Sequence, residues 1–269
     1  MLSLVWAECD PLPAGDRGLS YGDGLFETIR VHEQRLLLGD RHLTRLHEGA
    51  QRLGIPVARS DLESCLAEAL DRYARPGDWV LKLILTRGVG GRGYVPPVPC
   101  QPRLILSCHE MPVLPDPAGV SVQLGRHPLA VNPVLAGLKS LNRLDQVMAS
   151  AELGAGNYEV LMTDGHGHLL EGTRTNLMLR VSGQWLMPPM SSLAVHGVMQ
   201  AEVKAQLQAA GEVVREQPLD LSLLSHPQLD GVFLMNSVTG IVPVSRIDDR
   251  DLPIDGSLAT ICRPLTSLK

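Results

Sequence analysis

Apolar and polar positions alternate in several short segments of the chain, a pattern typical of β-strands. The alternation is clear in residues 79–87, WVLKLILTR. Residues 24–31 and 35–38 predict a hairpin with His32-Glu33-Gln34 at its turn. Glycine turns at 164–165 and 182–183 separate several later segments. The further predicted strands are 103–109, 120–126, 159–163, 169–171, 176–181, 185–187, 212–217, 231–235 and 241–245.

Helical spacing of apolar residues appears in fewer places. Leu43, Leu46, Ala50 and Leu53 recur at helical intervals, and Gly54 ends the run. A serine at 60 followed by a glutamate at 63 is a capping-box pattern and predicts a helix through residue 73. Two more helices are predicted, one after residue 142 and one over 198–210.

Two irregular stretches divide these elements. Residues 88–102, GVGGRGYVPPVPCQP, predict a mobile loop that carries Arg92 and Tyr94. The proline-rich residues 111–119 are the best candidate for an interdomain linker. We therefore predict a two-domain α/β (α+β) protein with largely antiparallel sheets, divided into an N-terminal domain 1–115, a linker region 116–127 and a C-terminal domain 128–269.

Composition excludes several classes of protein. A net charge of −5 and a pI near 6.0 argue against a general nucleic-acid binder. No apolar run approaches the ~20 residues that span a bilayer, and the first residues do not resemble a signal peptide. The five cysteines are scattered and never spaced as C-x-x-C, so we expect reduced thiols in a cytoplasmic protein and no metal site. His166 and His168 are interpreted as a polar hairpin tip.

Amine chemistry has few candidates in this chain. The 24 basic residues include only four lysines, Lys82, Lys139, Lys204 and Lys269. Lys139 lies in LAGLKSLNRLDQ, an apolar approach to a predicted helix. Apolar surroundings disfavour the ammonium form and so favour the nucleophilic free amine. A snorkelling surface lysine fits the same local pattern.

Seven segments are informative when they are taken together and in order. They are DRGLSYGDGLFETIRV (16–31), DRHLTRL (40–46), LTRGVGGRGY (85–94), LAGLKSLNRLDQV (135–147), EGTRTNLML (171–179), HGVMQ (196–200) and MNSVTGIVPV (235–244). Together they resemble the fold-type IV enzymes that depend on pyridoxal 5′-phosphate (PLP), a family that includes branched-chain and D-amino-acid aminotransferases and aminodeoxychorismate lyase. The resemblance implies a small N-terminal α/β domain and a larger, pseudo-barrel-like C-terminal α/β domain.

The resemblance also implies roles for individual residues. Lys139 matches the lysine that forms the Schiff base with PLP and moves protons, and Glu171 matches the acidic partner of the pyridine nitrogen. Arg45 matches the arginine that binds the cofactor phosphate. The remaining matches are to phosphate-binding positions at a helix start and in a loop: Gly197, Val198, Met199 and Ser237.

Within the family, the pairing of the 85–94 loop with KSLNRLDQ is most similar to aminodeoxychorismate lyase. Branched-chain aminotransferases place a tyrosine where this chain has Leu144, and D-amino-acid aminotransferases carry a histidine-containing loop. The implied substrate is aminodeoxychorismate, which carries two carboxylates, and the implied assembly is a homodimer. An aminotransferase and a non-catalytic PLP-binding protein are the alternatives. The candidates for substrate binding are Arg92, Tyr94 and Asn142, with Arg30, Arg126 and Arg143 as weaker ones.

Overall fold

The computed structural model describes residues 2–130 and 132–268. These residues form two compact units. The first unit contains the chain up to Pro112 together with the short segment Leu138–Asn142, and the second contains Val113–Gly137 and Arg143–Leu268. The domain boundaries given above stay a prediction.

The first unit contains one five-stranded sheet and three helices. Its elements are β1 (Ser3–Trp6), α1 (Arg17–Tyr21), β2 (Gly24–His32), β3 (Arg35–Leu36), α2 (Gly39–Leu53), α3 (Arg59–Arg72), β4 (Asp78–Thr86) and β5 (Arg103–Glu110). The strand order is β1-β5-β4-β2-β3, and all neighbours are antiparallel except the parallel pair β1 and β5.

The hydrophobic core of this unit is one cluster of buried residues, contributed by the sheet and by the apolar faces of α2 and α3. In β4, Leu81, Leu83 and Leu85 are fully buried, as the alternation in this segment predicts. Leu46 of α2 and Leu62 of α3 pack in the same cluster. Burial of one sheet face and one stripe of each helix thus fixes the register of β2, β4 and β5.

The start of α3 corrects the capping-box prediction. The helix begins at Arg59, after an Ala58 that makes no side-chain cap, so Ser60 lies inside the first turn. Glu63 instead accepts a hydrogen bond of 2.9 Å from Arg59 Nε, one helical turn away. The predicted cap, Ser60, thus lies two residues after the actual cap position, Ala58, and Glu63 forms an i, i+4 ion pair with Arg59 instead of a capping box.

The short helix α1 was not predicted from the sequence. It is capped by Asp16, whose carboxylate accepts from the Gly18 N–H at 2.8 Å, and it ends at Gly22 in the left-handed conformation, with φ of 64°. A helix of five residues is too short to show helical periodicity. It is therefore visible in the sequence only through its caps.

The second unit contains a ten-stranded sheet that closes on itself. The elements of this unit are β6 (Val120–Leu124), α4 (Leu144–Ser150), β7 (Glu159–Thr163), β8 (His168–Gly172), β9 (Asn176–Val181), β10 (Gln184–Met187), α5 (Val198–Ala209), β11 (Val214–Glu216), β12 (Leu219–Asp220), β13 (Leu229–Asn236), β14 (Gly240–Ile247), β15 (Arg250–Asp251) and α6 (Ser257–Ile261). Strands β9, β13, β14, β6, β7 and β8 pair in that order, and β8 pairs back with β9. This closure confirms the pseudo-barrel-like α/β fold.

Most neighbouring strands of this sheet are antiparallel, as predicted. The parallel neighbours are β6 with β7, β6 with β14, and β10 with β11. Buried aliphatic residues from facing strands, including Val122, Leu161, Leu179, Leu234 and Val244, form its main core. No helix in the described ranges, 2–130 and 132–268, is long and apolar enough to cross a bilayer.

Two glycines with left-handed backbone test how closely the two ends of the 88–102 loop approach each other. Gly88, at the start of the loop, is the test position, and Gly54, after α2, is its control. Gly88 has φ of 87°, and a Cβ there would lie 1.9 Å from the Gln101 carbonyl oxygen. Gly54 has φ of 64°, but an added Cβ meets nothing within 4 Å. We expect Gly54→Ala to cost about 1 kcal/mol and Gly88→Ala about 3 kcal/mol or more, measured by urea unfolding. Equal costs would contradict the close approach at Gly88.

Candidate functional site

Lys139 lies in a short extended segment that pairs with the start of β2. The Phe26 N–H donates to the Lys139 carbonyl at 2.9 Å, and the Leu141 N–H donates to the Gly24 carbonyl at 3.0 Å. Leu25 and Ser140 form an antiparallel bridge between these two bonds. The backbone on both sides of Lys139 is thus fixed.

The side chain of Lys139 extends over an aromatic ring. Its Nζ lies 4.3 Å from the centroid of the Phe26 ring. The preceding Leu138 is buried in the core of the first unit. Lys139 is therefore half-buried, with its amine beside an aromatic ring.

A buried carboxylate, Glu27, lies on the core-facing side of the same strand. Arg45 donates from Nε and Nη2 to its two oxygens at 2.7 and 2.5 Å, in the bidentate geometry of a guanidinium–carboxylate pair. His42 Nδ1 lies 2.6 Å from Glu27 Oε2. Because His42 and Arg45 are three residues apart on α2, they share one helix face.

This cluster fixes the charges of its members. Burial raises the pKa of Glu27, but Arg45 and His42 outweigh burial and lower that pKa to about 2. Burial lowers the pKa of His42 against the opposing effect of Glu27, and the positive charges of Arg45 and Lys139 lower it further. The Glu27–Arg45 ion pair is therefore maintained beside a neutral imidazole.

Glu27 and His42 were not singled out from the sequence, whereas Arg45 was. One signal was available: Glu27 occupies the position between Leu25 and Ile29 where the strand pattern requires an apolar core residue. A carboxylate at such a position needs a buried partner. The helix with HLTRL supplies that partner.

Glu171, on β8 of the second unit, is also a buried carboxylate. It is only 3% exposed, and its Oε2 accepts from the Val195 N–H at 3.3 Å. The Val195 carbonyl accepts from the side-chain amide of Asn176, the residue that pairs with Glu171 on β9, at 3.0 Å. The segment leading into α5 is thus attached to β8 and β9.

Gly197 is the residue at which this segment becomes helix α5. A Cβ at Gly197 would lie 1.7 Å from Asn176 Oδ1, so only glycine fits without movement. No side chain caps the helix, and no acidic residue lies in its first turn, which contains Val198 and Met199. Amides at such a helix start favour an anion.

Glu159, which was not singled out from the sequence, organises the turn after Glu171. Its buried carboxylate accepts from the N–H and hydroxyl of Thr173 at 3.2 and 2.6 Å, and from the hydroxyl of Thr175 at 3.1 Å. A Cβ at Gly172 would lie 2.7 Å from the Glu159 side chain. The sequence EGTRTN therefore forms a turn built around this carboxylate.

Ser237 lies in the turn between β13 and β14. Asn236 Oδ1 holds that turn by accepting from the N–H groups of Val238 and Thr239 at 2.9 and 2.8 Å. The turn brings the backbone of residues 237–239 into a compact arrangement. This is the position that the resemblance assigns to phosphate binding.

Among the substrate-binding candidates, Arg92 and Tyr94 lie exposed in the predicted loop. Tyr94 is 84% exposed, and its ring meets that of Tyr21 edge-on at 5.4 Å. Asn142 donates to the Gly22 carbonyl at 3.1 Å. That hydrogen bond continues the pairing that fixes Lys139.

The other candidates lie in different surroundings. Arg30 is buried on β2, where it binds Asp78 through Nε at 2.7 Å and also through Nη2. Arg126 is largely exposed and lies 3.6 Å from Glu152. Arg143 is the residue immediately before α4. Arg30 thus has an ion-pair partner that the sequence did not suggest.

The predicted site residues form one group in each unit. Lys139 and Arg45 belong to the first unit, with Phe26 and the Glu27 cluster. Glu171, Gly197, Val198, Met199 and Ser237 belong to the second. These are residue types that suit PLP: a half-buried primary amine in the first unit, and a buried carboxylate and an uncapped helix start after a glycine in the second.

The buried cluster of Glu27, His42 and Arg45 should contribute to the free energy of unfolding. We expect Glu27→Gln to destabilise the protein by about 3 to 5 kcal/mol at pH 7, because it leaves Arg45 without its buried counter-ion. Because the pKa of Glu27 falls from 4.5 to about 2 on folding, the contribution is complete above pH 4.5 and is lost as pH falls toward 2. Urea unfolding from pH 7 to 3 measures it.

The matched control is Glu48→Gln, an exposed residue of the same helix. We expect a change within about 0.5 kcal/mol at every pH. A Glu27 variant as stable as this control would contradict the proposed electrostatics.

Comparison with known proteins identifies the family. The profile of the amino-transferase class IV family matches residues 24–247. The aminodeoxychorismate lyase of Vibrio harveyi is 31% identical over 258 residues, which cover 94% of each chain. The D-alanine aminotransferase of Bacillus licheniformis is 28% identical over 247 residues, which cover 88% of this chain and 83% of the relative.

A solved structure gives the same result. The crystal structure of 4-amino-4-deoxychorismate lyase from Pseudomonas aeruginosa is 40% identical, with a TM-score of 0.88, and the match covers 94% of this chain and 93% of that one. Family profile, relatives and fold therefore agree. This chain belongs to the class IV aminotransferase family, whose members are PLP-dependent enzymes of fold type IV.

Proposed function

We propose that this protein is a lyase that converts 4-amino-4-deoxychorismate into 4-aminobenzoate and pyruvate, a step of folate biosynthesis. The observation that carries the proposal is the 40% identity with the 4-amino-4-deoxychorismate lyase of Pseudomonas aeruginosa over 94% of this chain. The relative from Vibrio harveyi has the same activity in its name. A homodimer, which the family resemblance implies, is part of the proposal.

The cofactor-binding residues are proposed position by position. Lys139 would attach PLP through Nζ. The proposed phosphate-binding residues are Arg45 of the first unit, which also binds Glu27 through Nε and Nη2, and Val198, Met199 and Ser237 of the second. Glu171 would keep the pyridine nitrogen protonated. Bound PLP supplies an electron sink for the carbon next to the substrate nitrogen.

Lys139 is also the proposed base. Its amine would take the proton from the ring carbon that bears nitrogen and would return a proton to the departing enolpyruvyl group, which leaves as pyruvate. Its fixed backbone and half-buried side chain suit this role, because a base must be held within reach of one carbon. Aromatisation of the ring supplies driving force.

Two substrate carboxylates require positively charged or hydrogen-bonding partners. Arg92 and Tyr94 are the proposed pair, with Asn142 and Arg143 near the lysine in sequence. Arg30 is a less favourable candidate because its guanidinium already binds Asp78. The substrate carboxylates would therefore be bound mainly by residues of the 88–102 loop.

A D-amino-acid aminotransferase is the second candidate, favoured by the 28% identity with the Bacillus licheniformis enzyme. The two activities differ in their products. With D-alanine and 2-oxoglutarate, an aminotransferase forms glutamate continuously. A protein that binds PLP without turning over any amine would support the remaining alternative, a non-catalytic binding protein.

The deciding experiment supplies purified holoprotein with aminodeoxychorismate and measures 4-aminobenzoate and pyruvate in equal amounts. We expect Lys139→Ala to lose at least about 10²- to 10⁴-fold in turnover, the contribution of a positioned acid–base group. The matched control is Lys204→Ala, which removes a lysine that pairs with Glu216 on the second unit. We expect the control to retain wild-type turnover. Sustained glutamate formation without 4-aminobenzoate would overturn the lyase assignment.

A further inference from the structure

The buried side chain of Arg17 binds the backbone of the 88–102 loop. Its Nη1 donates to the Gly93 carbonyl at 3.1 Å and approaches the Val95 carbonyl at 3.5 Å. Its Nη2 donates to the Tyr94 carbonyl at 2.9 Å. One guanidinium thus contacts three successive carbonyls of the segment that carries the proposed carboxylate-binding residues.

Such an arrangement requires an unusual backbone. Successive carbonyls of an extended chain point in opposite directions, so three cannot face one group in a strand. Gly93, with φ of 90°, supplies the left-handed conformation that turns the chain. With their carbonyls directed at Arg17, the residues of this segment leave Arg92 and Tyr94 exposed.

Arg17 also contacts Asp23 and Tyr21, which lie outside the loop. Its Nε donates to Asp23 Oδ2 at 2.8 Å, and its guanidinium lies 4.8 Å from the Tyr21 ring centroid. Tyr21 accepts from the Gly93 N–H at 3.2 Å through its hydroxyl. A Cβ at Gly90 would lie 2.6 Å from Arg17 Cδ, so the loop also packs directly on the arginine stem.

We propose that Arg17 is a positioning residue that holds residues 93–95 so that Arg92 and Tyr94 are presented to the carboxylates of the substrate. The role in substrate binding rests on the proposed function. The contacts of the clamp, here defined as Arg17, Asp23 and Tyr21, do not depend on it. A lysine cannot replace this arginine, because an ammonium lacks the planar fork that reaches the carboxylate and several carbonyls together.

The test compares Arg17→Lys with a matched control, Arg87→Lys. Arg87 is also buried and also binds Asp23, at 2.8 Å. Its other donors go to the carbonyls of Leu53 and Gly54 and, within the loop, to Cys100, but not to residues 93–95. Both variants therefore perturb the same carboxylate, and only Arg17→Lys releases residues 93–95. Gly90→Ala is a second loop variant that keeps every charge and displaces the arginine stem.

The first readout is limited trypsin digestion of the holoprotein, with the cut after Arg92 identified by peptide mass. We expect Arg17→Lys and Gly90→Ala to be cut there about tenfold faster than wild type, because lost hydrogen bonds to a charged donor free the backbone. We expect Arg87→Lys to be cut at the wild-type rate. The second readout is KM, expected to rise about tenfold in the two loop variants with kcat within about twofold.

The outcomes are separable. Faster cutting with a raised KM supports the proposal, and an unchanged cutting rate or an unchanged KM in both loop variants overturns it. If the wild-type protein makes no 4-aminobenzoate, the proposed function fails, and KM is measured with D-alanine, which also carries a carboxylate. Equal effects in Arg87→Lys would also overturn the proposal, because they would indicate a general loss of stability.

Discussion

The pairing of residues 139–141 with the start of β2 is the constraint on which the proposed site depends. Two backbone hydrogen bonds on either side of the Leu25–Ser140 bridge fix the lysine in an extended segment. The same strand carries Phe26 beneath the amine and Glu27 in the core. One strand thus determines the environment of the amine and, through Glu27, the position of Arg45.

Two of the buried carboxylates, Glu27 in the first unit and Glu159 in the second, have similar structural roles. Each is nearly inaccessible to solvent, and each satisfies its oxygens with donors from a segment distant in sequence. Burial of a charge is costly unless such donors are present. The arrangement therefore couples the local conformation of HLTRL and EGTRTN to the sheets beneath them, and these are segments that the family resemblance associates with the cofactor.

Much of this architecture could be predicted from local pattern. The strands at 159–163 and 176–181 begin and end where the apolar runs predict, and Gly54 ends α2 as expected. The short helix α1 and the true start of α3 could not, because each depends on one or two polar contacts that leave no periodic signal. Single polar contacts of this kind leave no trace in a pattern of hydrophobic positions.

The candidate site shows the same division. The resemblance of seven segments to one family identifies Lys139, Arg45 and Glu171 in the sequence. The contacts of His42, Glu159 and Arg17 are evident only in the folded structure. Their roles come from partners far along the chain, such as Glu27 for His42 and the Gly93 carbonyl for Arg17. A single sequence does not specify such pairs.

The central claim is that PLP is attached to Lys139, and borohydride reduction of the holoprotein followed by peptide mapping tests it most directly. Reduction converts the attachment into a stable secondary amine on one lysine. We expect the pyridoxyl group on the peptide containing Lys139. A label on Lys82, Lys204 or Lys269, or a purified protein that binds no PLP, would contradict it.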